Sequence, residues 1–177
     1  MAKTTIGLDL SLTGTGVVIL KGGKLVDQTV IKSKPLGLTP RNEIERLLSI
    51  VAEVDKYILK YSPKMIAIEG LAFGIVKTTS IMQLAGLNYL TRERIINCDI
   101  DFIIVAPSTL KKFATGKGNG PKDLVMLELY KRYGESFTNN NAADAYGLAM
   151  MAYELISKNK IPAFQEETLK VIRKQIQ

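Results

Sequence analysis

Alternation of apolar and polar residues marks the beginning of the chain. Ile6, Leu8 and Leu10 alternate with small or polar residues, and a second apolar run starts at Gly14 after a turn rich in Ser and Thr. A turn of this composition between two apolar runs is typical of a β-hairpin, and a third run follows closely. The pattern predicts three strands paired as an antiparallel meander. They span residues 4–10, 14–21 and 24–32.

Helical periodicity and short apolar runs alternate along the rest of the chain. A stripe of apolar residues at helical spacing follows a loop that contains Pro and Gly, and Pro63 ends it. Short, nearly continuous apolar runs are typical of buried strands reached by a crossover helix. The predicted helices are Arg41–Tyr61, Ser80–Asn97, Pro121–Tyr133 and Asn141–Ser157, and the predicted strands are Met65–Glu69 and Asp101–Val105.

This order of elements predicts one α/β domain over residues 1–177. A three-strand meander followed by alternating helices and strands gives a mixed five-stranded sheet, with helices on both faces and right-handed crossovers. From Ala163 onward the apolar pattern is weakly amphipathic. The tail over residues 160–177 is therefore expected either to pack as a helix or to be mobile.

Composition narrows the chemistry that the chain can perform. The 177 residues include 24 Lys and Arg, 17 Asp and Glu, no His, and one cysteine, Cys98; the formal net charge is +7. Without His, a Ser-His-Asp triad, a Cys-His pair and a His-ligated zinc are excluded, so carboxylates, lysines or tyrosines must act. The positive charge favours a polyanionic partner, nucleic acid before a membrane surface, although an ordinary basic protein would show it too.

Cysteine content and hydropathy bear on the compartment. One cysteine allows no internal disulfide, which suits a reducing cytosol, and no apolar stretch is long enough for a transmembrane helix. The first residues show no signal-peptide pattern. We expect a cytoplasmic protein with no membrane partner.

Three acids occupy positions where a carboxylate is unusual. Asp9 lies inside the first strand, Glu69 ends the strand 65–69, and Asp144 lies in the small-residue start of the last helix. Strand ends and helix starts meet at one edge of an α/β sheet, and clustered carboxylates need a cation among them. These acids predict a Mg²⁺ site, to which Asn141, three residues before Asp144, adds an oxygen ligand. Singly, each acid could instead cap a turn or pair with a lysine, and Asp144 could be a first-turn acid favoured by the helix dipole.

Several short motifs follow one another along roughly residues 4–157. They are Ile6–Ser11 with Thr13–Gly16, Ile66–Gly70, Gln83–Gly86, Ala106–Lys111 and Ala142–Ala149. This ordered set resembles the RuvC-type Holliday junction resolvases of the RNase H-like superfamily, in particular their phage-encoded branch. The resemblance implies an RNase H-like fold, divalent-metal hydrolysis of DNA, and a homodimer acting on two opposed strands of a four-way junction. For a phage-encoded protein, the compartment would be the host cytoplasm.

Carried over residue by residue, the resemblance makes Asp9, Glu69 and Asp144 metal-binding and catalytic acids. The family's fourth position, three residues before the last acid, is Asp or His, whereas this chain has Asn141. This departure implies a weakened metal site, a shift from Mg²⁺ toward Mn²⁺, or an inactivated variant.

A basic, glycine-rich stretch runs from Ser108 to Lys122 and is predicted to be a mobile loop. It contains four lysines and no acidic residue, which favours phosphate binding over a merely solvated loop. The resemblance places two of them near the junction or the scissile phosphate, and it makes Lys122 a catalytic candidate. The DNA-binding candidates in this stretch are Lys111, Lys112, Lys117 and Lys122.

Phe73 lies between glycines just beyond Glu69. It is predicted either to stack on a base at an opened junction or to be buried against the core. By analogy with the family, the helix Ser80–Asn97 lies at the dimer interface, although its apolar residues could equally belong to the core.

Other functions remain compatible with the sequence. An RNase H-like nuclease could act on RNA or an RNA–DNA hybrid, and Asn141 also suggests a branched-DNA-binding protein with weakened catalysis. Sugar kinases and actin-like ATPases share the Asp-x-x-x-x-Gly-x-Gly start seen from Asp9, but the chain lacks a second such domain.

Overall fold

Five strands form one mixed sheet in a computed structural model that describes residues 2–71, 78–119, 121–157 and 159–176, with only the backbone given for two residues, Thr78 and Lys122. The strands are β1 (Thr4–Asp9), β2 (Gly14–Lys21), β3 (Lys24–Lys32), β4 (Met65–Glu69) and β5 (Asp101–Val105). Their order in the sheet is β3-β2-β1-β4-β5. The first three pair antiparallel, while β4 runs parallel to β1 and to β5. The predicted meander and mixed sheet are confirmed.

Helices cover both faces of this sheet, as predicted. They are α1 (Pro40–Tyr61), α2 (Thr78–Asn97), α3 (Pro107–Thr115), α4 (Lys122–Tyr133), α5 (Asn140–Ile156) and α6 (Ala163–Ile172), and a 3₁₀ turn follows at Arg173–Gln175. α1 begins at Pro40, one residue earlier than predicted, because the Thr39 side chain accepts a hydrogen bond from the Asn42 N–H and caps the helix.

Alternate residues of β1 belong to the two layers of the core. Ile6 and Leu8 are fully buried against the apolar residues of α1 and α2. Thr5 and Gly7 point to the other face, where α5 covers the sheet and α3, α4 and α6 complete the packing. This two-residue period sets which layer each side chain of β1 enters.

The prediction of a loop from residue 108 onward is wrong for its first half, which forms the helix α3. Leu110, Phe113 and Ala114 recur at helical spacing and are buried in the core. Proline is favoured at the first helical position, and Gly116 ends the helix in the left-handed conformation with φ of 79°. The lysines of the predicted loop that fall on α3 therefore lie on a rigid element.

The tail also contributes a helix to the core. Leu169 and Ile172 of α6 are buried. After it, the Gln175 side-chain amide pairs with both backbone groups of Ile104 on the edge strand β5, at 2.9 and 2.8 Å. Within the described part of the chain, no helix is both long and apolar enough to cross a membrane.

Candidate functional site

Two of the predicted acids lie at the carboxyl edge of the sheet. β1 and β4 are parallel neighbours with Leu8 opposite Ile68, so Asp9 and Glu69 each follow one residue later. Asp9 is the last residue of β1, not an interior one as predicted, and only 7% of it is exposed. Glu69 is the last residue of β4 and is half-buried. The parallel pairing therefore brings these two chain positions to the same edge.

Close packing fixes where α5 crosses β1. The Thr5 hydroxyl donates a hydrogen bond to the carbonyl of Ala149, at 3.0 Å. A Cβ atom built on Gly7 would lie 1.9 Å from the carbonyl oxygen of Ala145. Only glycine allows this approach, because any side chain at position 7 would meet helix backbone. The helix therefore runs antiparallel to β1, and its beginning lies toward the carboxyl edge of the sheet.

The first turn of α5 lies against the β1–β2 hairpin. The Asn141 side-chain amide donates a hydrogen bond to the carbonyl of Gly14, and a Cβ on Gly16 would lie 2.2 Å from the Asn141 carbonyl oxygen. Gly16 pairs with Asp9 in the sheet, so this turn lies at the level of Asp9. Asp144 follows three residues later, is half-buried, and shares that side of the helix.

Hydrogen bonds hold the hairpin turn that follows Asp9. The Thr15 hydroxyl donates to the Ser11 carbonyl at 2.8 Å and accepts from the Ser11 N–H at 3.1 Å. From α1, the buried Arg46 donates to the carbonyl of Leu12 and, at 3.0 Å, to the Ser33 hydroxyl. The turn is therefore held both by its own Thr15–Ser11 hydrogen bonds and by Arg46 of the neighbouring helix.

The predicted metal ligands at this edge are three acids and one amide, namely Asp9, Glu69, Asp144 and Asn141. The part of the chain that the structure describes contains no group of three or more Asp, Glu, Cys or His side chains that could hold a metal ion. The donor types nevertheless fit, because carboxylates and an amide oxygen are the ligands that Mg²⁺ and Mn²⁺ prefer. The backbone thus brings together the elements that carry these residues, and the metal site itself stays a prediction.

Two tyrosines, the buried Tyr146 of α5 and the partly buried Tyr133 of α4, are unsuited to proton transfer. Tyr146 and Tyr133 contact each other edge to face, with 5.8 Å between ring centroids. Burial raises the pKa of the Tyr146 hydroxyl and also that of Tyr133, to which Gln165 donates a hydrogen bond. Both hydroxyls stay protonated at neutral pH, so they belong to the core rather than to the site.

Three of the predicted DNA-binding lysines lie on α3 or just after it. Lys111 and Lys112 are half-buried, and the Lys112 ammonium lies 3.6 Å from the Glu167 carboxylate of α6. Lys117 is exposed in the turn after α3, where a Cβ on Gly118 would lie 3.4 Å from the carbonyl oxygen of Ser108. The chain therefore folds back toward the start of α3, which follows the carboxyl end of β5.

Two other predicted residues cannot be placed. Phe73 lies within residues 72–77, outside the described residues. Lys122 begins α4, but the structure describes only its backbone and not its side chain.

Sequence reasoning missed Asn88 of α2. It is 1% exposed, and its side-chain N–H donates to the carbonyl of Glu69 at 3.4 Å. The available signal was a polar residue directly after Leu87, within the apolar stripe of a helix predicted to pack on the sheet.

Comparison with known proteins agrees with this geometry. The family model described as crossover junction endodeoxyribonuclease RuvC matches residues 5–152. The enzyme of that name from Rickettsia bellii (strain RML369-C) is 32% identical over 163 residues, covering 87% of this chain and 98% of the relative. The one from Brachyspira hyodysenteriae is 27% identical over 150 residues, covering 82% and 91%.

Solved structures show the same fold. T. thermophilus RuvC in complex with a Holliday junction substrate superposes with a TM-score of 0.70 at 18% identity, covering 84% of this chain and 90% of that one. The yeast mitochondrial Holliday junction resolvase gives 0.56 at 13% identity, covering 98% and 84%. The predicted RNase H-like fold is confirmed, while a phage origin stays a prediction. On the family match, the sequence relatives and the arrangement of the sheet edge, this chain belongs to the RuvC family of crossover junction endodeoxyribonucleases.

Proposed function

We propose that this chain resolves four-way DNA junctions by metal-dependent hydrolysis, with Asp9, Glu69 and Asp144 holding the metal. Membership of the RuvC family makes the chain an endonuclease. The observation that carries the assignment of residues is the meeting of β1, β4 and the first turn of α5 at one sheet edge. β1 ends at Asp9, β4 ends at Glu69, and Asp144 is the fifth residue of α5.

RuvC-type enzymes depend on a divalent metal. We propose Mg²⁺, with Mn²⁺ as the alternative, because the donors are hard oxygen atoms. Such an ion supplies a water of lowered pKa and stabilises the leaving oxygen of a phosphodiester. In this chain, the three carboxylates would hold the ion, and the Asn141 side-chain oxygen would be a further, neutral ligand.

The proposed partners are branched DNA and a second copy of the chain. The structure of T. thermophilus RuvC with a Holliday junction supports the DNA partner. Met82, Tyr89 and Ile96 of α2 are spaced seven residues apart and are between 62% and 73% exposed. An exposed apolar stripe of this kind on one helix supports a homodimer formed through α2.

Lysines of the basic segment would neutralise DNA phosphates near this edge. Lys111, Lys112 and Lys117 lie on or after α3, which starts directly beyond β5. Lys122 remains a proposed contact to the scissile phosphate, and Phe73 a proposed stacking residue. The net charge of +7 supports the same assignment.

A cleavage assay tests the function directly. The protein is incubated with labelled four-way junction, linear duplex and RNA–DNA hybrid, each with Mg²⁺, with Mn²⁺ and with EDTA. We expect paired cuts in opposed strands of the junction with either metal, and no cutting in EDTA. Cutting of the hybrid alone would indicate a nuclease acting on RNA instead. Tight junction binding without cutting in either metal would indicate a binding protein, as the departure at Asn141 suggests.

Replacing Lys117 with Ala should weaken junction binding in a salt-dependent way. Each lost phosphate contact lowers the slope of log affinity against log salt concentration by about 1, without changing base preference. Gel-shift titrations at several salt concentrations measure this slope. Lys24→Ala is the matched control, because Lys24 lies at the opposite edge of the sheet, across from Lys21. Equal slopes for Lys117→Ala and the unmodified protein would place Lys117 away from the DNA.

Replacing Asn141 with Asp should raise cleavage in Mg²⁺ by about tenfold, the order of change seen when groups around a metal are altered. A carboxylate binds Mg²⁺ better than an amide, but it cannot donate the hydrogen bond that Asn141 makes to the Gly14 carbonyl. The variant should therefore be less stable than the unmodified protein in EDTA and regain stability with Mg²⁺. Thermal unfolding with and without metal, together with single-turnover cleavage, measures both effects. An unchanged cleavage rate and no response of stability to metal would exclude this position from the metal site.

A further inference from the structure

Two lysines lie at the end of β3, at the sheet edge that carries the acids. β3 pairs antiparallel with β2, as β1 does, so β3 and β1 run in the same direction. Gly16 of β2 lies opposite Asp9, and Gly14, two residues further toward this edge, lies opposite Lys32. Lys32 therefore lies just beyond the level of Asp9, and Lys34 follows it along the chain.

The alternation of side chains along β3 decides which face of the sheet Lys32 occupies. Ile31 is partly buried in the core layer that contains α1, and the Ser33 hydroxyl accepts a hydrogen bond from Arg46 of α1 at 3.0 Å. Lys32, between these two residues, therefore faces the other side of the sheet, which α5 covers. The residue opposite it in β2 accepts the hydrogen bond of the Asn141 side chain. Lys32 thus shares a face of the sheet with the first turn of α5.

Both lysines present their charge to solvent. Lys32 and Lys34 are exposed, and among the residues that the structure describes neither of them forms an ion pair with a carboxylate. The residues outside that description include no Asp or Glu. These two ammonium groups are therefore available to an anion from outside the chain, close to an edge whose carboxylates repel phosphate until a metal ion binds.

The strand order puts cations on both sides of the acids. β1 is the central strand, while β3 and β5 are the two edge strands. Each edge strand lies two strand spacings, about 10 Å, from β1. The segment with Lys117 follows β5, whereas Lys32 and Lys34 follow one another at the end of β3. Base pairs succeed one another about every 3.4 Å along a duplex, so each group of lysines can reach phosphates about three nucleotides from a bond held at β1.

We infer that Lys32 and Lys34 bind DNA phosphates on one side of the cleaved bond, while the lysines of α3 and the turn after it bind phosphates on the other side. The inference deepens the proposed function and rests on it for the position of the cleaved bond. The DNA strand then crosses the carboxyl edge of the sheet from β5 to β3. Lysines contact phosphates without reading bases, so this surface fixes the register of the strand over the acids and not its sequence.

A double variant, Lys32→Gln with Lys34→Gln, removes both charges and keeps long side chains. Gel-shift titrations of a four-way junction with the full-length protein are made in EDTA at several salt concentrations, so that binding is observed apart from cutting. The slope of log affinity against log salt concentration should fall by about 2, one for each lost phosphate contact. Replacing both lysines with Arg keeps the charge and should keep the slope. Lys24→Gln, exposed at the other end of the same strand, is the matched control and should also keep it.

Junctions with one neutral methylphosphonate linkage, placed in turn at each phosphate near the cleaved bond, locate the contacts. A linkage that these lysines contact should weaken binding of the unmodified protein but not of the double variant, which has already lost that contact. We expect the double variant and Lys117→Ala to become insensitive to two separate sets of linkages, with the cleaved bond between them.

The outcomes distinguish this inference from the proposed function. An unchanged slope for the double variant, or one shared set of linkages for it and for Lys117→Ala, would overturn the crossing path and leave junction cleavage standing. Two separate sets in a protein that never cuts with Mg²⁺ or Mn²⁺ would support the lysine surface and overturn the nuclease. A protein that binds no junction would overturn both.

Discussion

Replacing Asp9 with Asn is expected to reduce junction cleavage by roughly 10³-fold or more, because a metal ligand supplies several kcal/mol of transition-state stabilisation. Asn has the same shape as Asp but lacks the charge that holds a divalent ion. Junction affinity should stay within about threefold, since the proposed phosphate contacts are made by lysines elsewhere. Single-turnover cleavage and gel-shift titration, both across a range of Mg²⁺ concentrations, measure the two quantities.

Stability distinguishes a metal ligand from a structural acid at this position. Asp9 is 7% exposed, and burying a carboxylate is costly. If its role is to bind metal, Asn at position 9 should leave the free energy of unfolding in EDTA unchanged or higher, and Mg²⁺ should add nothing. Asp101→Asn is the matched control, because Asp101 is exposed at the opposite end of the parallel strands, across from Met65. A marked loss of stability in EDTA together with loss of DNA binding would show that Asp9 serves the fold.

The sheet could be predicted because each strand carries its own signal. Ile6 and Leu8 alternate with small residues in β1, whereas β4 and β5 are short apolar runs, a pattern typical of parallel strands packed against helices. Few strand orders are then possible. Strands that follow each other along the chain usually pair, and parallel strands need a connecting helix between them.

The sequence predicts a loop where α3 lies, because the composition of this stretch points away from its weak helical periodicity. Its two lysines and the glycines that follow are typical of a loop, yet Pro107 and Gly116 are placed where helices begin and end. Leu110 and Phe113, three residues apart, complete a one-turn apolar stripe. A nine-residue helix is too short to show a longer periodic stripe, so the composition of the stretch outweighs its periodicity.

The candidate site divides into a predictable and an unpredictable part. That Asp9, Glu69 and Asp144 lie on elements meeting at one edge follows from strand and helix order alone. Where their side chains point depends on rotamers and on neighbours from distant parts of the chain, which no local pattern contains.

Replacing Gly16 with Ala is expected to lower the free energy of unfolding by roughly 3 kcal/mol or more, the upper end of the cost of overpacking. The added Cβ would lie 2.2 Å from the Asn141 carbonyl oxygen and 2.6 Å from its carbonyl carbon. Both atoms belong to helix backbone, so no rotamer change relieves the contact. Urea unfolding monitored by circular dichroism measures the loss.

The same substitution tests whether close packing of α5 assembles the site. The clash would move the first turn of α5 away from β2, and Asn141 and Asp144 would move with it relative to Asp9, which pairs with Gly16. The rate of cleavage is measured at low temperature, where the variant stays folded. After correction for the unfolded fraction, this rate should be lower than that of the unmodified protein by about tenfold or more. Gly118→Ala is the matched control, because its Cβ would make only an ordinary 3.4 Å contact. A folded Gly16→Ala protein that cuts junctions at the unmodified rate would mean that the proposed site does not depend on where this helix begins.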